Sequence, residues 1–185
     1  MVILLASRSP RRRQLLSRLG FPVSFVDIDV DEVVPAATPV EMVSSHLALR
    51  KSRAYIPPLA DGQVLVTADT VVVHRGEVLG KPHDADDAVR MLRSLSGDVN
   101  TVYTGVCLRT SRREVLFTER TDVYFRTLSD AVIRTYVNQG TCLDKAGAYG
   151  IQEWIGMVGV ERIDGDYYNV VGLPLARLYH ELTNL

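Results

Sequence analysis

The chain has 185 residues, and this length predicts a single domain over residues 1–185 with its own hydrophobic core. Hydrophobic residues make up 46% of it and charged residues 23%, and the formal net charge of −1 argues against a basic surface that binds nucleic acid. No apolar run approaches the ~20 residues that span a membrane, and the amino-terminal segment lacks the features of an export signal, so we expect a cytoplasmic protein with no membrane partner.

Hydrophobic periodicity and capping residues predict alternating strands and helices in the first half of the chain. The segment Val2–Ala6 is typical of a short buried strand. Ser9 and Pro10 suit the start of a helix, because serine caps a helix and proline fits its first turn. The other predicted features are an end of that helix at Gly20, an alternating strand at 23–30, and a helix from a capping box at 38–41 to about Tyr55.

The second half of the chain predicts a longer series of strands and helices. In chain order these are a strand at 64–73 interrupted at 68–70, a short strand at 78–79, a helix from Asp84 to Gly97, strands at 99–109 and 114–126, a helix from Ser129 to Gly140, a glycine-containing loop at 144–150, a strand at 155–163 and a final helix from Pro174. The order mixes strand–helix–strand units with a hairpin. It therefore predicts an α/β fold with a mixed β-sheet flanked by helices.

The first predicted helix breaks a local rule. Arg11, Arg12 and Arg13 place positive charge in its first turn, where the helix dipole favours acidic residues. Local rules are often broken at functional sites, and a helix start with serine hydroxyls and arginine side chains suits a polyphosphate. The alternative is a solvated basic face.

Two acidic side chains are candidates for a metal site. Asp69 lies inside an apolar β-rich run, where a carboxylate is unfavourable unless it is paired or bound to a metal; it is otherwise a turn or capping residue at a strand break. Glu32 follows Asp29 and Asp31, and this group is either a second source of ligands or an ordinary acidic loop. Mg²⁺ commonly uses one or two carboxylates together with substrate phosphates.

Three further polar residues are candidates for substrate contacts. Lys51 continues the apolar stripe of the second helix, so its side chain either extends along the surface to water or points into a polar cleft. Lys81 follows a strand in a tight turn and is either a solvated loop lysine or a phosphate contact. Gln152 follows the glycine-containing loop, and its amide suits a water molecule or a base edge; the alternative is an ordinary loop with two glycines.

Several common types of site are not predicted. The four histidines are scattered without a zinc-binding spacing, and neither a phosphate-binding glycine loop of known pattern nor a serine-hydrolase motif is present. Cys107 and Cys142 are far apart, so no disulfide framework is expected.

Taken together, six segments resemble the Maf family in the expected order. They are LASRSPRRRQLL at 5–16, ADT at 68–70, GKP at 80–82, TGV at 104–106, DKAGAYGIQ at 144–152 and NVVGLP at 169–174. The resemblance implies an elongated mixed sheet with two lobes around a central cleft, and a metal-dependent nucleoside triphosphate pyrophosphatase. The loop at 144–152 is similar to that of the branch acting on dTTP and UTP, and modified pyrimidine nucleotides are further candidate substrates.

The resemblance also assigns roles to single positions and implies a homodimer. The implied catalytic residues are Glu32, Lys51, Asp69 and Lys81, with Glu32 and Asp69 holding a divalent cation, Mg²⁺ or Mn²⁺, and the implied substrate contacts are Ser7, Arg11, Arg12 and Gln152. An alternative is a nucleotide-binding regulator of cell division and septum formation that acts through a protein partner.

Two residues depart from the family pattern. Asn100 stands where the family usually has histidine, and we expect an altered hydrogen bond in its strand. Glu153 stands where glycine is usual, and we expect its charge to tune base preference or activity.

Overall fold

The computed structural model describes all 185 residues and contains seven strands and seven α-helices. The strands are β1 (Val2–Ala6), β2 (Val23–Val26), β3 (Gln63–His74), β4 (Glu77–Leu79), β5 (Val99–Arg109), β6 (Glu114–Phe125) and β7 (Val160–Asp164). The helices are α1 (Pro10–Leu16), α2 (Val40–Ala54), α3 (Ala85–Leu95), α4 (Asp130–Val137), α5 (Trp154–Gly159), α6 (Tyr167–Val171) and α7 (Leu175–Thr183). Short 3₁₀ turns lie at Ser17–Leu19 and Ala146–Ala148.

All seven strands belong to one mixed sheet. Its order is β2-β1-β3-β5-β6-β7, with β4 paired to β3 outside this path. β1 pairs in parallel with both β2 and β3, whereas the pairs β3–β4 and β6–β7 are antiparallel. The prediction of an α/β fold with a mixed sheet and flanking helices is therefore confirmed.

The residues cluster into two compact units. The first consists of residues 1–70, 104–119 and 172–185, and the second of residues 71–103 and 120–171. The single domain expected from the chain length and the central cleft implied by the family resemblance stay predictions.

In the first unit, the parallel pair β1 and β3 forms the centre of the core. Both strands are almost continuously buried, as is usual for parallel strands covered on both faces. Helix α2 lies directly against β5 at Gly105, where a Cβ atom would come within 2.3 Å of the backbone nitrogen of Ser45. Glycine at this position therefore allows the close approach that places α2, the helix carrying Lys51, against the sheet.

The second unit has a hydrophobic core between its helices and the sheet. Its fully buried side chains include Leu92, Leu95, Ile133, Tyr136 and Ile155. Two helices that cover this core, α3 and α4, begin at capping residues whose side chains accept backbone hydrogen bonds, as the sequence predicts.

The sequence-based boundaries are wrong in several places. The segment predicted as a strand at 155–163 is helix α5 up to Gly159 and becomes strand β7 only at Val160. A short apolar run does not distinguish a buried helix from a strand by periodicity alone. The strand predicted at 23–30 ends at Val26, and helix α6 was not predicted.

Two further predictions about the first unit are also wrong. Strand β3 runs without interruption through the segment at 68–70. The capping box expected at Thr38 does not form, because Pro39 is the N-cap of α2 and no side chain caps this helix. None of the helices combines the length and the apolar character that a membrane crossing requires.

Candidate active site

The start of α1 is held by serine side chains. Ser9 caps the helix, its Oγ accepting a hydrogen bond from the backbone nitrogen of Arg12 at 3.4 Å. Ser7 Oγ accepts a hydrogen bond from the backbone nitrogen of Ser9 at 3.2 Å. No acidic residue lies in the first turn of α1, so no side chain of that turn offsets the positive charge of the three arginines.

Arg12 is anchored by other parts of the first unit. Its Nε donates to the carbonyl oxygen of Gly172 at 2.9 Å, and its Nη2 donates to Thr70 Oγ1 at 2.8 Å. The Thr70 hydroxyl also lies 2.9 Å from the hydroxyl of Thr104. These contacts fix the plane of the guanidinium and leave its other N–H groups for an anion.

Arg13 faces a different neighbourhood. Its guanidinium donates to the carbonyl oxygen of Ser7 at 2.8 Å, lies 3.5 Å from Asp27, and stacks 4.8 Å from the ring centre of Phe25. These contacts attach α1 to the end of β2, so Arg13 stabilises the local structure. The contacts with Gly172 and Thr70 give Arg12 the fixed position that anion recognition requires.

The side chain of Lys51 points inward and joins two acids. Its Nζ lies 2.5 Å from Asp69 Oδ1 and 2.7 Å from Glu32 Oε1. The side chains of Lys51 and Asp69 are only 13% and 12% exposed, whereas that of Glu32 is 61% exposed. The alternative of a lysine extended to water is therefore wrong, and Asp69 lies within a continuous strand rather than in a turn.

Lys51 and Glu32, together with Ala68 next to Asp69, line a cavity of about 180 Å³ in the first unit. Its lining includes Ser7, Arg8, Arg12, Glu32 and Lys51. Burial lowers the pKa of the Arg12 guanidinium; Asp69 raises it, Arg11 lowers it further and Glu32 raises it. Arg12 is thus close enough to interact electrostatically with Asp69, Arg11 and Glu32. The sequence-predicted candidates of the first unit therefore lie in one neighbourhood.

The carboxylates suit a hard cation. Oxygens of Glu32 and Asp69 both contact the single Nζ atom of Lys51, so the two carboxylates share one positive charge. No group of three or more acidic, histidine or cysteine side chains forms a metal cage in the protein. A cation held here would therefore keep coordination positions for water and phosphate oxygens, as Mg²⁺ sites commonly do.

The other two candidates belong to the second unit. Lys81 is exposed in the turn after β4. The preceding residue, Gly80, accepts a hydrogen bond from the backbone nitrogen of Gly147 at 3.0 Å, which joins the GKP turn to the DKAGAYGIQ loop. Gln152 is partly buried in a turn that a hydrogen bond from Glu153 N to Gly150 O closes at 2.9 Å.

Both departures from the family pattern have hydrogen-bond partners in the second unit. The buried side chain of Asn100 donates to the carbonyl oxygen of Val123 at 3.3 Å and accepts from the hydroxyl of Tyr149 at 2.8 Å. The carboxylate of Glu153 lies 2.8 Å from Lys145 Nζ and also accepts from Tyr136. The carboxylate of Glu153 is thus paired with a buried lysine.

Sequence reasoning missed the residues that hold Arg12. Thr70 and Gly172 belong to the ADT and NVVGLP motifs, which carried the family resemblance but received no role of their own. The φ angle of Gly172 is +124°, a conformation that favours glycine, and its carbonyl oxygen meets Arg12 across 160 residues of chain. In the sequence, the glycine of the NVVGLP motif indicated an unusual backbone conformation at this position. It did not indicate that Arg12 is the hydrogen-bond partner.

Comparisons with known proteins agree with the motifs. A family model described as "Maf-like protein" matches residues 2–185. A protein of Bacteroides thetaiotaomicron named dTTP/UTP pyrophosphatase is 47% identical over 184 residues, covering 99% of this chain and 95% of that protein. A protein of the same name from Flavobacterium johnsoniae is 41% identical over 183 residues, covering 99% and 94%. Among solved structures, the Staphylococcus aureus Ham1 protein has a similar fold, with a TM-score of 0.56 at 13% identity, covering 100% of this chain and 99% of that chain.

Proposed function

Because the chain belongs to the family of Maf-like proteins, we propose that it is a nucleoside triphosphate pyrophosphatase that converts dTTP and UTP to their monophosphates and pyrophosphate. The family expected from the sequence motifs is confirmed by the match over residues 2–185. The substrate assignment is supported by the names of full-length relatives, which favour an enzyme over the alternative of a regulatory nucleotide-binding protein.

The observation that carries this proposal is the convergence of Arg12, Lys51, Glu32 and Asp69 in one neighbourhood. A site that joins fixed cations to two carboxylates suits a polyphosphate together with a metal. The cavity of about 180 Å³ is smaller than the ~300 Å³ at which ligand pockets usually begin. It therefore supports binding of the phosphate tail there rather than of a complete nucleotide.

The donor set fits a divalent cation, Mg²⁺ or Mn²⁺, which Glu32 and Asp69 would hold. Such a cation, when bound, neutralises phosphate charge and lowers the pKa of a neighbouring water molecule. The same two carboxylates contact the ammonium group of Lys51.

In the proposed mechanism, water attacks the α-phosphorus and the bond from this phosphorus to the bridging oxygen breaks, so pyrophosphate leaves. Asp69 orients the water and accepts its proton. Arg12, with Arg11 and Ser7, grips the triphosphate, and Lys51 stabilises the negative charge that develops on the leaving group. The oxygen of the water becomes part of the nucleoside monophosphate.

The remaining assignments rest on the family resemblance alone. Lys81 is proposed to assist Lys51 at the leaving pyrophosphate, and Gln152 to contact the base or the attacking water. A homodimer and a cytoplasmic location also stay predictions.

The test is a panel of pyrophosphate-release assays with purified protein and Mg²⁺ or Mn²⁺. The panel covers dTTP, UTP, dCTP, CTP, ATP, GTP and modified pyrimidine triphosphates. We expect fastest release from dTTP and UTP, with one monophosphate formed for each pyrophosphate. Stoichiometric nucleotide binding without pyrophosphate would instead support the regulatory alternative and contradict the proposal.

A further inference from the structure

The turn that carries Gln152 is held at both ends by one buried hydroxyl group. Tyr136, on α4, is fully buried. Its hydroxyl oxygen accepts a hydrogen bond from the backbone nitrogen of Gly150 at 3.2 Å, and the hydroxyl donates to Glu153 Oε2 at 2.5 Å. Gly150 and Glu153 are the first and last residues of the turn, so a single side chain from another element fixes the segment between them.

The carboxylate of Glu153 is in turn fixed by neighbouring groups. Its Oε1 lies 2.8 Å from the Nζ atom of Lys145, and its Oε2 accepts from Thr141 Oγ1 at 3.0 Å. Lys145 is buried, and its ammonium group also contacts Asp144 at 2.6 Å. Burial and then the Glu153 carboxylate raise the pKa of the Tyr136 hydroxyl, which favours the protonated form that donates to Glu153.

We propose that Tyr136 is a positioning residue that fixes the 150–153 turn and thereby places the Gln152 side chain for base selection. This inference rests on the proposed function and on the role assigned there to Gln152. If the turn moves, the contact between Gln152 and the substrate moves with it, and activity falls because this contact orients the substrate. Tyr136 therefore acts on the reaction through Gln152 and does not itself touch the nucleotide.

Tyr149 provides a matched control in the same core. It is also buried, and its hydroxyl donates one hydrogen bond, to Asn100 Oδ1 at 2.8 Å. That bond does not involve Gly150 or Glu153. Tyr149→Phe thus removes a buried hydroxyl of the same kind while both contacts of Tyr136 with the turn remain.

Hydrogen–deuterium exchange tests the structural half of the inference without any reaction. In Tyr136→Phe, we expect the amides of residues 150–153 to exchange at least several-fold faster than in the wild type, because two hydrogen bonds to the turn are lost. Tyr149→Phe should leave these amides near the wild-type rate. Unchanged exchange in Tyr136→Phe, or equal acceleration in both variants, overturns the inference.

A double-mutant cycle tests the functional half. Tyr136→Phe should lower kcat/KM for dTTP by roughly five- to tenfold and reduce the preference for dTTP over dCTP, as the loss of two modest hydrogen bonds allows. In a Gln152→Ala background the same change should have less than about a twofold effect. If Tyr136→Phe lowers kcat/KM by the same factor in the Gln152→Ala background as in the wild type, the inference is contradicted. If the wild type releases pyrophosphate from no triphosphate, the proposed function fails, and the exchange experiment alone decides whether Tyr136 holds the turn.

Discussion

The ammonium nitrogen of Lys51 lies 2.5 Å from the Oδ1 atom of Asp69, and it joins a helix to a strand 18 positions further along the chain. Both side chains are largely buried, so solvent weakens this pair less than it weakens a surface ion pair. Glu32 and Asp69, the residues that would hold the proposed cation, thus already share the ammonium group of Lys51. A cation held by these acids would compete with Lys51 for the same carboxylates.

The first prediction concerns the carboxylate of Asp69. Asp69→Asn keeps the size of the side chain but removes its charge and its ability to accept a proton from water. We expect kcat for dTTP to fall by roughly 10²- to 10⁴-fold, the range found for loss of a general base. Initial rates of pyrophosphate release give the measurement, and circular dichroism checks the fold.

Asp122 supplies the control for this substitution. It is a partly buried carboxylate on β6 that accepts a hydrogen bond from Thr101 and pairs with Arg120. Asp122→Asn should leave kcat within about threefold of the wild type, since most substitutions away from a site have small effects. Near wild-type turnover by Asp69→Asn would remove the basis of the proposed mechanism.

The second prediction concerns competition between Lys51 and the cation. In Lys51→Met, the carboxylates of Glu32 and Asp69 lose their ammonium partner and repel each other. We expect a lower Tm without metal and a larger Tm increase on addition of Mg²⁺ than in the wild type. A tenfold gain in cation affinity corresponds to about 1.4 kcal/mol, or a few degrees in a chain of this length.

Lys51→Met combined with Asp69→Asn gives the control, because this double variant lacks one of the two proposed ligands. Its Tm should respond little to Mg²⁺. If Mg²⁺ raises the Tm of the wild type and of Lys51→Met equally, the ammonium and the cation do not share the position between the acids.

The α/β class, the starts of α1, α3 and α4, and the unusual place of the Asp69 carboxylate could be predicted from the sequence for a physical reason. Each depends on local chemistry, such as the serine cap at Ser9 or the carboxylate of Asp69 inside an apolar strand. The boundary at Val160 could not be predicted, since the same short apolar segment suits a helix and a strand.

Contacts between residues far apart in the sequence could not be predicted either. Sequence spacing does not reveal that Lys51 meets Asp69, or that the Gly172 carbonyl accepts a hydrogen bond from Arg12. For Lys51, two alternatives remained open until the fold placed α2 beside β3. The pairing of Glu153 with Lys145 was missed for the same reason, and the expectation that its charge tunes base preference or activity stays a prediction.

The third prediction concerns Gly172. Gly172→Ala forces a side chain into a backbone conformation with φ of +124°, which should lower the free energy of unfolding by at least about 1 kcal/mol. It should also shift the carbonyl that accepts from Arg12 and raise KM for dTTP. Urea unfolding and initial rates measure the two effects. Unchanged KM alongside lower stability would show that the Gly172 carbonyl does not position Arg12.

The fourth prediction concerns the contact between β5 and α2. In Gly105→Ala, the new Cβ would lie 2.3 Å from the Ser45 nitrogen, so strand and helix must separate. Overpacking of this kind commonly lowers the free energy of unfolding by about 1–3 kcal/mol. We expect a loss at the upper end of this range, because the new Cβ meets backbone atoms, which cannot rotate away as a side chain can. Gly80→Ala is the control, because no atom lies within 4 Å of the Cβ it would add. Equal unfolding midpoints in urea for the two variants would contradict the close packing described for Gly105.

The fifth prediction concerns acid stability and the carboxylate of Asp98. The backbone N–H of Val99, then His74 and Arg75, lower the pKa of Asp98 from its ordinary value of 3.8 to about 2. A carboxylate with a lowered pKa stabilises the folded state fully above its unfolded pKa, and this stabilisation is lost as the pH falls through the folded pKa.

The free-energy difference between the wild type and Asp98→Asn should therefore be constant above about pH 4.5 and decline steadily towards pH 2. Urea unfolding at half-unit pH intervals gives the measurement, and Asp86→Asn, at an exposed position in the first turn of α3, provides the control. The sign is decisive, because Asp98 protonates in the unfolded chain before it protonates in the folded protein. A difference that grows as the pH falls, or that stays constant down to pH 2, would show that the contacts of Asp98 with Val99, His74 and Arg75 do not favour its charged form.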